Sequence, residues 1–132
     1  IDFEIEMSSI AESRKTLLKL QEKREILLKM KEQVNKDIRS VEVNYLSMRT
    51  SIRQEFSPEN ADNSRRKKFL KGNNSPARMR AKAMKKLESD RKGRIESYKD
   101  MKLTIEDLVE QIEEVMVDVY GSMKSFLGNT EY

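Results

Sequence analysis

A heptad register, with steps alternating between three and four residues, runs from Phe3 to Glu55 without a break in phase, and most of its a and d positions are apolar. In heptad notation the a positions are Phe3, Ile10, Leu17, Arg24, Lys31, Ile38, Tyr45 and Ile52. The d positions are Glu6, Ser13, Leu20, Leu27, Val34, Val41, Met48 and Glu55. Neither Gly nor Pro interrupts Leu17 to Ile52. A mean step near 3.5 keeps these side chains on one helical face, so the pattern predicts a helical arm over 3–56. At 1.5 Å per residue such an arm is roughly 80 Å long. Met7, Leu18 and Leu28 widen the stripe before residue 31, and beyond it the stripe narrows to a and d. A wide stripe seeks several neighbours, as in a bundle, whereas a narrow seam suits one.

Phe56-Ser57-Pro58 closes the first arm, because the residue before a proline is driven out of the helical region. An elbow over 57–75 follows, read either as a loop or as a loop holding a short helix near 61–71 that Gly72 stops. Ser75-Pro76 then has the form of an N-cap with proline in the first turn. Periodicity resumes behind it, with Met84, Arg91, Tyr98, Ile105, Ile112, Val119 and Phe126 at a. Leu87, Arg94, Met101, Leu108, Val115 and Ser122 fall at d, and Ile95, Val109, Met116 and Met123 add an e stripe. This second arm spans 76–127, with Gly128 expected to supply a left-handed cap.

Turning the chain near residue 66 superposes the two wide apolar zones, 7–28 and 105–127. It also lays the carboxylates of 106–118 along Arg14, Lys15, Lys19, Lys23, Arg24, Lys29 and Lys31. The fold class is therefore all-α: two long heptad-patterned helices in an antiparallel helical hairpin, a coiled coil, forming one elongated unit over 1–132. Such a hairpin leaves the wide ends uncovered. Closure into a four-helix bundle by a second copy, or by helices of another protein, is the expected remedy. The assembly interface is expected at Ile10, Leu17, Leu20, Leu27, Ile105, Leu108, Ile112, Val115, Val119 and Phe126. Arg24 and Lys31 at a positions either run their stems over apolar surface with heads in water, or set register against an acidic partner.

Composition supports a thin core: 38% of residues are charged and 36% hydrophobic, against about 25% and nearly half in an average domain. There is no Cys and no His, which removes disulfides, thiol nucleophiles, imidazole bases and the usual zinc ligands. The carboxylates sit at surface spacing among Lys and Arg, and no glycine-rich loop precedes a helix after a strand. The reading is non-enzymatic, with no cofactor or metal. No run of about 18 apolar residues predicts a membrane span. Ile1 in place of Met suggests a fragment of a longer protein.

Charge is the strongest functional signal. Between Ser64 and Lys86 stand ten basic side chains and no acidic one: Arg65, Arg66, Lys67, Lys68, Lys71, Arg78, Arg80, Lys82, Lys85 and Lys86. Such a run attracts polyanions: nucleic acid, acidic lipid or acidic protein tails. It also serves in other proteins as a solubilising surface or as a nuclear-import signal, here Arg65-Arg66-Lys67-Lys68 alone or with Lys85-Lys86. The reading places the chain inside the cell, the nucleus ahead of the cytoplasm. Ser75-Pro76-Ala77-Arg78 has the form that proline-directed kinases modify, and Ser57-Pro58 is a weaker second candidate. A phosphate at Ser75 would remove up to about two charges' worth of basic field. Two function classes emerge: a scaffold that joins protein partners, as homodimer or hetero-assembly, and a DNA- or chromatin-binding module.

Overall fold

The computed structural model describes residues 2–57 and 75–128, and these form two helices, α1 (Asp2–Glu55) and α2 (Pro76–Gly128). Among them there is no strand. The suggested short helix near 61–71 lies outside the described residues. Both boundaries fall within a residue of those expected, and their chemistry is local. At the end of α1 the Phe56 N–H still donates to the Ile52 carbonyl at 3.1 Å, and the Ser57 N–H bonds Gln54 at 3.3 Å. Pro58, which has no N–H to offer, comes next. At the start of α2 the Arg78 N–H donates to Ser75 Oγ at 3.2 Å, and the Met79 N–H reaches the Ser75 carbonyl at 3.0 Å. That is a serine N-cap, which satisfies a donor the first turn would otherwise leave open.

The left-handed cap expected at Gly128 is not formed. Gly128 is the last helical residue, and no described glycine has a positive φ.

The helices divide into two units. Unit 1 combines α1 through Val34 with α2 from Met101 onward, and unit 2 combines the remainder of α1 with the first part of α2, from Asn35 to Asp100 in sequence. In unit 1, Arg24 pairs with Glu113 and Lys31 with Glu106, seven residues up one helix against seven down the other. The segments are therefore antiparallel. In unit 2, Glu42 pairs with Arg91 while Tyr45 bonds Glu88, again antiparallel.

The core is thin. Leu17, Val34 and Ile105 are buried in unit 1, and Leu87 and Ile95 in unit 2; none is fully enclosed. Along α1 the less exposed positions of unit 1 run through Ile10, Ser13, Leu20, Arg24, Leu27 and Lys31, which with Leu17 and Val34 recur at steps of three and four. Along α2 Leu87 is buried at d as assigned, but beyond it the inward residues differ from those assigned at d. Met101, Leu108 and Val115 stand 41–49% exposed, while Ile95, Val109 and Met116, assigned at e, are turned in. The stripe on α2 is three positions wide, and one helix covers only two of them. Which two is decided by the rotation that seats Ile105 and Ile112 against α1, and not by the stripe itself.

Candidate interaction surfaces

Of the ten basic residues, Arg65, Arg66, Lys67, Lys68 and Lys71 lie outside the described residues. Arg78, Arg80, Lys82, Lys85 and Lys86 occupy the first turns of α2, and all are exposed. Met79, Ala83, Met84 and Leu87 take the opposite, inward face of the same turns. The first turn of α2 holds no acidic residue, so these cations stand against the positive end of the helix dipole. Ser75 is exposed at the cap itself, whereas Ser57 is half-buried just beyond α1.

Unit 2 holds the densest polar cluster, and it is centred on Arg91. Its Nε and Nη2 donate to the two oxygens of Glu42 at 2.9 and 3.0 Å, a bidentate pair across the helices. Its Nη1 donates to Glu88 Oε1 at 2.7 Å, one turn back on the same helix. The guanidinium also lies 4.8 Å from the centroid of the Tyr45 ring, within cation–π range. The Tyr45 hydroxyl donates to Glu88 in turn. That bond, with partial burial and the charge of Glu88, raises the tyrosine pKa above its ordinary value. The same bond, aided by Arg91, holds the Glu88 carboxyl below the ordinary range. Arg91 is raised, chiefly by its hydrogen bond to Glu42. Close by in sequence, the Nε of Arg49 is buried without a hydrogen-bond partner.

Both carboxylates of the cluster, Glu42 and Glu88, are hydrogen-bonded to the one Arg91 guanidinium. Among the described residues no group of three or more His, Cys, Asp or Glu is placed to hold a metal ion. No described helix is long and apolar enough to cross a membrane.

Unit 1 uses single ion pairs. Arg24 Nε meets Glu113 Oε1 at 3.0 Å, and Lys31 Nζ meets Glu106 Oε1 at 3.2 Å. Both cations are half-buried, and their charges rest on carboxylates of the acidic segment of α2. A groove beside them is lined by Gln21, Arg24, Glu113, Met116, Val117 and Tyr120.

The expected assembly residues separate into two sets. Leu17 and Ile105 are buried, and Ile10, Leu20, Leu27, Ile112, Val119 and Phe126 are half-buried, all toward the other helix of unit 1. Leu108 and Val115 face outward. Sequence reasoning treated Arg91 and Tyr45 as ordinary a positions and missed their pairing. The signal was present as a charged and an aromatic residue on two apolar seams, but it needed the register between helices to be read.

Comparison with known protein families, with curated proteins and with solved structures finds no match for this chain.

Proposed function

We propose that this chain is a non-enzymatic coiled-coil scaffold that joins protein partners through its helical faces, with its bundle closed by a further pair of helices. One observation carries the reading. Fifteen large apolar side chains stand exposed among the described residues, and twelve of them belong to unit 1. Scattered exposed apolar residues are ordinary, but this density on one helix pair marks a surface that expects cover. A photo-cross-linking residue at exposed Leu108 is expected to capture protein in the cell, and one at exposed Glu110 is not. Absence of protein adducts from both positions would remove the scaffold reading.

A second reading has its own support. Arg78, Arg80, Lys82, Lys85 and Lys86, exposed and without acidic neighbours in the first turn, suit a polyanion, most plausibly DNA or chromatin. In this reading the basic run serves as the contact, and phosphorylation of Ser75 weakens it. Within the scaffold the same run acts as a nuclear-import signal. Titration with duplex DNA separates the two. A nucleic-acid contact requires affinity that falls with a log-log slope of about −0.9 per phosphate neutralised. No binding at low salt would leave the scaffold alone.

A further inference from the structure

We propose that unit 1 docks on a second copy of this chain, with α1 of each copy laid against α2 of the other about a two-fold axis parallel to the helices. The inference rests on the scaffold reading and names its partner.

The surface is defined by which flank of each helix is already engaged. Gln21 and Tyr120 line one groove between the helices, so they mark one side of the pair. With 3.6 residues per turn, Lys19, Lys23 and Met30 fall on the opposite flank of α1, and Met101, Leu108 and Val115 on the opposite flank of α2. All six are exposed. This other side is thus an apolar column on α2 beside lysines and a methionine on α1. Two α-helices side by side, each about 10 Å wide and about 40 Å long over residues 101–128, present roughly 800 Å². That is about the area each partner contributes to a standard specific interface.

Charge selects the occupant and its orientation. Residues 14–31 carry seven basic and two acidic groups, and residues 106–118 carry six acidic and no basic ones. A copy that placed α1 on α1 would set lysine against lysine. A two-fold axis along the helices instead preserves height and exchanges the helices, setting α1 on α2. The Arg24–Glu113 and Lys31–Glu106 pairs fix those heights: Lys23 is level with Glu114, Lys19 with Asp118, and Met30 with Asp107, next to Leu108. Each lysine then meets a carboxylate of the partner subunit, while Met30 packs against Leu108 of the partner subunit. Both seams are antiparallel, as in an up-down four-helix bundle. The interface is isologous, so it closes at two copies.

Sedimentation of the purified chain at micromolar concentration tests this. A dimer is expected. Leu108→Glu should weaken it about 100-fold or more, because the buried carboxylate faces Met30 of the partner subunit and lacks a partner, while helicity measured by circular dichroism is retained. Should that variant unfold, the exposed charges still decide. Lys19→Glu/Lys23→Glu and Glu114→Lys/Asp118→Lys should each weaken the dimer alone, and an equimolar mixture should restore it. Dimerisation unaffected by either charge variant would overturn the proposed orientation, and a folded monomer would overturn the second copy. The two readings fail separately: a monomer whose Leu108 cross-linker captures a different protein keeps the scaffold, and a monomer that captures none loses both.

Discussion

Unit 1 and unit 2 are cut from the same two helices, yet they are held in different ways. Among its described residues, unit 1 joins its segments through Leu17, Val34 and Ile105 and two single ion pairs, and leaves twelve large apolar residues exposed. Unit 2 buries Leu87 and Ile95, exposes only Val43, Leu46 and Met48 among its described large apolar residues, and adds a two-pronged guanidinium clamp. The difference matters because charge-assisted pairs with fixed geometry specify register, while apolar seams tolerate rotation. Unit 2 is built to be complete as a helix pair. Unit 1 leaves apolar surface exposed, and the proposed scaffold assigns that surface to a partner.

The largest effect should come from forcing a charge into the seam of unit 1. Ile105→Asp places an unpaired carboxylate in the seam between the two helices of unit 1, near the level of Val34, at a cost of about 3–5 kcal/mol. Val115→Asp, a residue 45% exposed, is expected to leave the isolated chain's helicity unchanged. Thermal melts followed by circular dichroism should show a lowered midpoint for the first and none for the second when the protein is diluted to monomer. Equal losses would mean that the exposed column of α2 is part of the intrachain core after all.

Removing the clamp of unit 2 ranks next. Arg91→Met keeps the apolar stem but strands Glu42 and Glu88, and a fall of a few degrees in the midpoint is expected, on the scale of losing a charge-assisted contact. The cluster should also respond to pH. Glu88 is held below its ordinary 4.5, so its contribution is present above that value and is lost as pH falls through the lower, folded-state pKa. Tyr45 is raised above 10.0, so its contribution is present below that value and is lost as pH rises through the folded-state pKa. Unit 2 should therefore weaken on strong acidification and again in strong alkali, and Arg91→Met or Tyr45→Phe should blunt both responses. Amide hydrogen exchange, read separately for 35–55 and 2–34, locates the change.

How far the sequence foretold this contrast depends on which residues are considered. The arms and their ends were legible because caps and prolines act locally: Ser75-Pro76 and Ser57-Pro58 carry their meaning within one turn. The antiparallel pairing of basic 14–31 with acidic 106–118 was legible too, since whole-segment charge needs no register. What stayed hidden was rotation. Leu108 and Val115 look identical in pattern to Val109 and Met116, and only the seating of Ile105 and Ile112 turns the latter inward. Arg91 was hidden for the same reason, because Glu42 becomes its partner only once the two helices are aligned to within a residue. The basic residues from Arg65 to Lys71 lie outside the described residues, so half of the proposed polyanion contact rests on sequence alone.

Glycine substitutions offer a gain where the others give losses. Gly93 in unit 2 and Gly121 in unit 1 are helical, and a Cβ added at either meets nothing within 4 Å. Each Gly→Ala change should stabilise by about 0.5–1 kcal/mol, through reduced freedom of the unfolded chain. Denaturant midpoints check this. A loss at Gly121 alone, in a dimeric sample, would place that position against a partner.

The smallest effect is expected at the ion pairs of unit 1. Arg24 and Glu113 are joined by one 3.0 Å contact, and their side chains remain 38% and 49% exposed. At that exposure water and salt screen most of the attraction, and ordering two long side chains costs entropy, so a coupling below about 1 kcal/mol is expected. A double-mutant cycle with Arg24→Met and Glu113→Gln measures it, and methionine retains the stem that lies along the seam. The coupling should shrink further as salt rises toward 1 M, where the screening length falls to about 3 Å. The same cycle on Arg91 and Glu42 should give a larger coupling that persists in salt, because two parallel hydrogen bonds fix the geometry. If the Arg24 coupling matched the Arg91 coupling, the proposed division between a register-setting unit and a surface-offering unit would fail.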